Sequence, residues 1–208
     1  MHVVSFYTGD GRFAELAAKL RASCERFNIP HSIEQLPSDN DWIKNLMRKP
    51  AFMLRKLEEL KKPIVWLDAD CEVMQYPTML DENDYDLQIF NWMPVKKPEE
   101  HAADPQRLVA ASGVVYLNYT APAQRLLYQW IAACKSTKQK ADDQILDVVY
   151  REKCKGQIKC RWLPPPYNRM DSYFPEVEPV INHIFKSGAF FFNEGDLPPV
   201  VPGTLPLE

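Results

Sequence analysis

The chain has 208 residues, of which 46% are hydrophobic and 25% charged, so it is long enough to bury an ordinary core and is typical of a soluble globular protein. Its 25 basic and 28 acidic residues leave a formal charge of -3, which excludes the strongly basic surface that binds nucleic acid through charge alone. Eighteen prolines against seven glycines indicate stiff loops. We expect one domain over residues 1–195 and an extended proline-rich tail over 196–208.

The cysteine content and the hydropathy pattern bear on the cellular compartment. Five cysteines are dispersed along the chain without CxxC pairs or zinc-type spacing, which favours a reducing cytoplasm, that of a bacterium or of a host cell if the protein is viral. The sequence shows no basic and apolar leader pattern and no run of 18 apolar residues. We therefore expect neither export nor a membrane span, and the oligomeric state is open.

The first predicted elements alternate between strand and helix. Residues 2–7 are apolar and β-rich, as in a strand, and a turn cluster with two glycines follows over 8–11. Apolar residues at three- and four-residue spacing predict a helix over 13–27. Residues 31–36 alternate weakly, as in a second strand, and Pro50 opens a second helix that ends before Pro63.

The later elements continue this alternation. Residues 64–67 are uninterruptedly apolar, which predicts a central strand buried on both faces. Further strands are predicted over residues 87–92, 113–117, 161–163 and 180–185, and helices over 121–134 and 142–150. Thr120 is the expected cap of the first of these helices. The alternation predicts a single-domain three-layer α/β/α sandwich.

The sharpest feature of the sequence is the acidic pair Asp68 and Asp70, directly after the buried strand. In extended backbone, side chains two residues apart share a face, so we expect the two carboxylates side by side and Ala69 turned inward. Open α/β sheets bind ligands beyond the carboxyl ends of their strands. Two carboxylates there suit Mg²⁺ or Mn²⁺ bridging to a diphosphate, and the buried strand disfavours the alternative of a solvated acidic turn.

Two other enzyme classes also place such a pair after an apolar strand. Aspartate-nucleophile phosphatases have theirs after the first strand, with Thr or Val two residues past the second Asp, where this chain has Glu72. A toprim-type nuclease needs a separate Glu on an earlier strand in a glycine-rich setting, for which Glu34 is a poor candidate. The sequence therefore disfavours both classes.

Further motifs occur in order around the acidic pair. They are Val3–Asp10, Lys49–Phe52, Trp66–Asp70, Ser112–Asn118, Asp142–Gln144 and His183. These motifs, which cover most of residues 1–190, resemble those of the metal-dependent, nucleotide-sugar-using glycosyltransferases of GT-A fold. The resemblance implies a mixed GT-A sheet and an enzyme that transfers a sugar, hexose or pentose, from a nucleotide diphosphate sugar to an acceptor hydroxyl. A UDP-sugar is the expected donor.

The resemblance also implies which residues hold the donor. Phe6, Tyr7 and Thr8 would border the nucleobase and ribose, although Phe6 is as well explained by packing at the end of a strand. Lys49 would approach the diphosphate, with exposure at a helix-opening turn as the alternative. Lys186 would neutralise the departing diphosphate.

A metal site is implied in the same way. Asp68 would touch the ribose and the metal, Asp70 would bind the metal, and His183 would be the third protein ligand. An imidazole beside two carboxylates suits Mn²⁺ better than Ca²⁺, whereas a structural histidine is the alternative. If His183 is a ligand, Mn²⁺ affinity is expected to fall below about pH 6.5, the ordinary imidazole pKa.

The remaining motifs would lie around the transferred sugar. Ser112 and Gly113 would let the backbone approach it closely, with a β-bulge as the alternative. Asp142, Asp143 and Gln144 would contact sugar hydroxyls or the acceptor, whereas helix capping by itself explains one of the two aspartates. The resemblance to retaining relatives predicts that the anomeric configuration is kept.

The acceptor is not disclosed by these motifs. A glycan, a protein, a small metabolite and a hydroxylated base in viral DNA are all compatible with them, and Trp92 is a candidate for lining the acceptor groove. Two alternatives to a transferase stay open. One is a nucleotide-sugar hydrolase, and the other is a catalytically silent module on the same fold that binds a sugar nucleotide or a glycan.

Overall fold

A computed structural model describes residues 1–9, 11–137 and 141–184. The strands are β1 (Val3–Thr8), β2 (His31–Leu36), β3 (Ile64–Leu67), β4 (Cys71–Val73), β5 (Leu87–Asn91), β6 (Ala110–Leu117), β7 (Cys160–Leu163), β8 (Arg169–Met170) and β9 (Ile181–His183). The α-helices are α1 (Arg12–Arg26), α2 (Trp42–Met47), α3 (Lys49–Leu60), α4 (Met93–Lys96), α5 (Pro98–Ala103), α6 (Ala121–Ser136) and α7 (Asp142–Val149). A π-helical turn at Tyr150–Cys154 continues α7.

The main sheet has six strands in the order β2-β1-β3-β6-β5-β7. Strand β6 runs antiparallel to both of its neighbours, and the other pairings are parallel. The carboxyl ends of β1, β3 and β5 therefore meet the amino end of β6 at one edge of the sheet. We call this the carboxyl edge.

A small second sheet lies beside the main one, in the order β4-β9-β8. Strand β4 starts four residues after β3 ends, and it pairs antiparallel with β9 from the far end of the described chain. Strand β8 pairs parallel with the other side of β9. This small sheet thus returns the carboxyl-terminal part of the chain to the carboxyl edge.

Two buried layers hold the main sheet between its helices. Alternate residues of each strand enter opposite layers: Val4 and Trp66 pack with α3, α6 and α7, whereas Val3 and Val65 pack with α1. This alternation follows from the two-residue period of a strand. The predicted three-layer GT-A type architecture is confirmed.

The predicted elements and the observed ones differ mainly at their ends and in the short segments. Thr120 caps α6 as expected, since its Oγ1 accepts from the N–H of Ala123 at 3.4 Å. Helices α2, α4 and α5 and strands β4 and β8 were not predicted, because each is too short to show a period. The predicted strand over 180–185 is observed as β9, and its last residue lies outside the described residues, as does the predicted tail.

Among the described helices, none is both long enough and apolar enough to cross a membrane.

Candidate active site

The acidic pair after β3 lies in a tight turn. The N–H of Asp68 donates to the Gly113 carbonyl at 2.9 Å, and the N–H of Cys71 donates back to the Asp68 carbonyl at 2.9 Å. The chain thus reverses after β3, and Ala69 is partly exposed. The expectation of extended backbone with Ala69 turned inward is wrong, because the chain has to reverse for Cys71 to begin β4.

The reversal brings His183 next to the acidic turn. Cys71 lies opposite His183 in the pairing of β4 with β9, and the N–H of Ile184 donates to the Asp70 carbonyl at 2.9 Å. The ligand atoms of Asp70, Cys71 and His183 all lie within 4.8 Å of one another. Residues separated by more than one hundred positions in sequence therefore share one small cluster.

Glycine at position 113 leaves room for this histidine. A Cβ at Gly113 would lie 2.2 Å from Cε1 of His183, a separation that real side chains do not tolerate. The pairing of β5 with β6 shifts in register here, from Ile89 opposite Val115 to Phe90 opposite Ala111. The predicted alternative of a β-bulge is therefore observed, and the space beside Gly113 is filled by the imidazole.

Lys49 is the charged centre of the site. Its side chain is 3% exposed, and Nζ lies 2.7 Å from Oδ2 of Asp142 and 3.0 Å from Oδ1 of Asp68. Nζ also donates to Oγ of Ser112 at 3.0 Å. Burial by itself would lower the pKa of Lys49, but Asp142 and Asp68 outweigh burial and raise it, so the ammonium stays charged. The alternative of an exposed Lys49 is wrong, and its approach to a diphosphate stays a prediction.

The start of α7 supplies a second acidic pair. Asp142 accepts from Oγ of Ser112 at 2.9 Å, in addition to its ion pair with Lys49. Asp143 accepts from the N–H of Gln144 at 2.7 Å, and Oε1 of Gln144 accepts from the N–H of Ala141 at 3.3 Å. Asp143 and Gln144 thus satisfy free N–H groups at the helix start, whereas Asp142 faces the lysine.

Three carboxyl groups in the acidic turn and on α7 have raised pKa values. Burial, reinforced by the charge of Asp68, raises the pKa of Asp70 to about 7. Burial and Asp142 raise the pKa of Asp143 to about 6. Burial raises the pKa of Asp147 to about 7, although the N–H of Ala110 opposes this shift. Carboxyl groups with raised pKa values in a cleft are typical of functional sites.

His183 and Cys71 differ in their fitness as metal ligands. Burial lowers the pKa of His183 to about 4, so the ring is neutral at pH 7 and a nitrogen lone pair is free to bind. Burial raises the pKa of the Cys71 thiol, whose Sγ lies 3.6 Å from Nδ1 of His183. Because metals bind the thiolate, the donors that fit are the Asp70 carboxylate and the imidazole. Such an oxygen and nitrogen set suits Mn²⁺.

Of the three predicted metal ligands, Asp68 lies outside the cluster formed by Asp70, Cys71 and His183. Its Oδ1 accepts from Nε1 of Trp66 at 2.7 Å and faces Lys49, and it lies outside the 4.8 Å group. The predicted set of Asp68, Asp70 and His183 is therefore brought together in part.

The candidates for the nucleotide lie at the end of β1, on the same edge. Phe6 packs against Phe52 and Trp66, with ring centroids 5.2 and 5.3 Å apart, so its packing alternative is observed. Tyr7 and Thr8 are partly exposed. Next to Thr8, an open cleft of about 340 Å³ is lined by Gly9, Gln35, Leu36, Pro37 and Ser38. Lys186 lies outside the described residues.

Sequence reasoning missed two members of the site. Asp147 lies one helical turn after Asp143 on α7, and its carboxylate accepts from the N–H of Ala110 at 2.6 Å. Its spacing of four residues from Asp143 was a usable signal. The other missed member is Cys71, which no sequence signal places beside His183.

The chain is similar to known proteins both in its sequence profile and in its fold. A profile for the nucleotide-diphospho-sugar transferase family matches residues 10–186. No curated protein sequence matches the chain. Among solved structures, a glycosyltransferase involved in the glycosylation of the major capsid of PBCV-1 aligns with a TM-score of 0.67 and 12% identity, over 89% of this chain and 94% of that one.

Two further solved structures have the same fold. Galactosyltransferase LgtC, in complex with donor and acceptor sugar analogues, has a TM-score of 0.56 and 14% identity, over 90% of this chain and 88% of its own. Mouse xyloside xylosyltransferase 1 has a TM-score of 0.53 and 12% identity, over 95% of this chain and 99% of its own. With the profile covering most of its length, the chain belongs to the nucleotide-diphospho-sugar transferase family and is a glycosyltransferase.

Proposed function

We propose that this enzyme transfers a hexose or pentose from a UDP-sugar to an acceptor hydroxyl, with Mn²⁺ or Mg²⁺ as cofactor. The observation that carries the proposal is the convergence of Asp70 and His183 beside a second acidic pair, Asp142 and Asp143, at the carboxyl edge. Open α/β sheets bind their ligands at this edge. The family supplies the nucleotide-sugar chemistry.

The chain offers a suitable set of donors for the metal. Asp70 and His183 would hold the ion, with Asp68 next to them in the same turn. A bound ion of this kind screens the diphosphate from the carboxylates and acts as a Lewis acid on the leaving group. Because His183 contributes nitrogen, Mn²⁺ is the better fit of the two ions.

Lys49 connects the two acidic pairs and fixes their relative position. Its ammonium binds Asp68 from one pair and Asp142 from the other, so the acidic turn and the start of α7 are fixed relative to each other. Asp143 is then left to orient hydroxyl groups of the donor sugar or of the acceptor. Fixed positioning of this kind lowers the entropic part of an activation barrier.

The nucleoside would lie at the end of β1. Tyr7 offers a ring for stacking, Thr8 offers polar groups, and the adjacent open cleft offers space. Lys186 would meet the departing diphosphate. All five cysteines are free thiols, which supports a cytoplasmic location.

We further propose that the anomeric configuration is retained. Asp142 accepts from Ser112 and is paired with Lys49, so it is not the isolated carboxylate that an inverting mechanism would use as its base. The leaving diphosphate would instead receive the acceptor proton. Proton NMR of the first product tests this: a coupling like that of the donor supports retention, whereas the opposite coupling would identify Asp143 as a base.

A donor panel tests the reaction itself. Purified protein with Mn²⁺ is incubated with UDP-, GDP- and CDP-sugars, and the released nucleoside diphosphate is measured with and without mixed oligosaccharides as acceptors. We expect release from a UDP-sugar that rises when acceptors are added. Release that acceptors never change would indicate a hydrolase, and UDP binding without any release would indicate a silent binding module.

A further inference from the structure

An aromatic group lies at the carboxyl edge, separate from the acidic cluster. Trp92 follows β5 directly, and β5 is separated from β3 by β6 alone. The ring of Phe174 stacks on Trp92 at 5.8 Å with an angle of 9° between the planes, and the ring of Tyr173 lies 4.8 Å from Trp92. We call Trp92, Tyr173 and Phe174 the aromatic platform.

The platform presents an apolar ring to solvent. Tyr173 is 51% exposed, whereas Trp92 beneath it is buried. Val95, just beyond Trp92 in α4, is 47% exposed, and the ammonium of Lys96 lies 4.8 Å from the centre of the Trp92 ring. An exposed aromatic ring held rigidly by its neighbours loses little entropy when it binds a ligand.

The platform is tied to the strand that carries the histidine. Met170 lies opposite His183 in the pairing of β8 with β9. The Met170 carbonyl accepts from the N–H of Tyr173 at 3.1 Å and from the N–H of Phe174 at 2.8 Å. Only two residues therefore separate Tyr173 from Met170, the strand partner of His183, and the platform is thus connected through β8 and β9 to the proposed metal site.

From this connection we propose that the acceptor is a carbohydrate and that Tyr173 is a specificity-determining residue that stacks on one of its sugar rings. The inference rests on the proposed glycosyl transfer. The negative face of an aromatic ring attracts the C–H groups on the apolar face of a sugar, while the sugar's hydroxyls suit nearby carboxylates.

The local charge argues against a nucleic acid as the acceptor. A base in DNA also stacks on aromatic rings, but it brings phosphates to a site that contains Asp143 and Asp147 in addition to the acidic turn. At the platform itself the exposed Glu99 in α5 is offset by Lys96, so the repulsion comes from the acidic side chains of the site. An uncharged sugar avoids this repulsion, since binding it brings no like charge into the site.

Ligand-detected NMR with free disaccharides tests the inference. The probes are lactose, cellobiose, maltose and xylobiose, each added to full-length protein saturated with Mn²⁺ and UDP. We expect saturation transfer from wild type to the ring protons of at least one disaccharide, with affinity about tenfold lower in Tyr173→Ala and retained in Tyr173→Phe. Tyr128→Ala is the matched control, because Tyr128 is 53% exposed on α6.

The UDP titration separates the two proposals. If wild type and Tyr173→Ala bind UDP equally but no disaccharide shows transfer that depends on position 173, the carbohydrate inference is overturned and the donor proposal stands. Transfer to a serine- and threonine-rich peptide that Tyr173→Ala weakens would replace the carbohydrate with a protein acceptor. If wild type does not bind UDP at all, the proposed function itself fails.

Discussion

The two acidic pairs of the site have the same arrangement around Lys49, but their second carboxylates have different neighbours. In each pair one carboxylate, Asp68 or Asp142, forms an ion pair with Lys49. The other, Asp70 or Asp143, lacks that ion pair and has a pKa raised by burial, to about 7 and about 6 respectively. One lysine thus neutralises part of each pair and leaves one carboxylate in each for a ligand.

The difference between the two remaining carboxylates lies in their neighbours. Asp70 lies beside His183, whose neutral ring could bind a metal, whereas Asp143 accepts from the N–H of Gln144 at the start of a helix. A helix amino terminus already stabilises negative charge, and a buried turn does not. The turn therefore needs a cation more than the helix does, which supports the proposal that Asp70 holds the metal and that Asp143 contacts sugar hydroxyls.

The largest effect is expected from Asp70→Asn. This change removes the proposed metal ligand but keeps the size of the side chain, so the metal and, through it, the diphosphate should bind more weakly. We expect kcat/KM to fall by about 10³-fold, measured as UDP release, with little change in the unfolding midpoint. Asp171→Asn is the control, because the Asp171 side chain is 74% exposed. Activity within threefold of wild type would remove Asp70 from the metal site.

Lys49→Met is expected to have the next largest effect, on stability. Removing the ammonium leaves Asp68 and Asp142 without their shared counter-charge, and breaking a buried ion pair costs about 3–5 kcal/mol. Urea unfolding at pH 7.5 measures this loss. The double variant Lys49→Met with Asp142→Asn should recover part of it, since one uncompensated charge is gone.

Lys44→Met serves as the control for this loss, because the Lys44 side chain is 70% exposed and pairs with Asp41 on the surface. An equal loss of stability in Lys49→Met and Lys44→Met would show that the buried ammonium does not hold the two pairs together.

The pH dependence of Mn²⁺ binding is expected to report Asp70. Its pKa is about 7, so a proton competes with the metal below pH 7, and the affinity should fall by up to about tenfold per pH unit. The pKa of His183 is about 4, which corrects the expectation of a histidine step near pH 6.5. Calorimetry between pH 5 and 8 should show the slope in wild type and in His183→Gln, and not in Asp70→Asn. A slope lost only in His183→Gln would reverse this assignment.

The smallest expected effect concerns Asp147 in metal-free protein. Its folded pKa of about 7 is above the ordinary value of 3.8, so the folded state favours the protonated carboxyl. That stabilisation is complete below about pH 3.8 and is lost as the pH rises through 7. Relative to wild type, Asp147→Asn should therefore gain roughly 5–10 °C in Tm between pH 5 and 8. A constant difference across this range would show that Asp147 does not titrate there.

The long elements and the acidic pair were predictable from sequence, and their three-dimensional relation was not. The buried run of β3, the periodic pattern of α1 and the cap of α6 are local signals, and all three elements are observed. The turn at Asp68 depends on a hydrogen bond that its N–H donates to the Gly113 carbonyl, and the position of His183 depends on the pairing of two three-residue strands. Such pairings are set by tertiary contacts, which a local pattern does not encode.

The charged surroundings of Lys49 were likewise not predictable from the sequence. A lysine before a proline is typical of an exposed helix start, and only the fold reveals that two carboxylates from distant segments surround it. The need for glycine at position 113 has a structural reason that the sequence did not reveal, because a side chain there would collide with His183; its approach to the donor sugar stays a prediction.

The most direct test of a metal-dependent UDP-sugar site is calorimetric titration of UDP into full-length protein with Mn²⁺ and then with excess EDTA. Without the metal, the diphosphate meets Asp68 and Asp70 as like charges in a partly desolvated turn. We expect micromolar binding with Mn²⁺ and loss of binding by at least about a hundredfold in EDTA. Equal UDP affinity in both conditions would contradict a metal-dependent donor site.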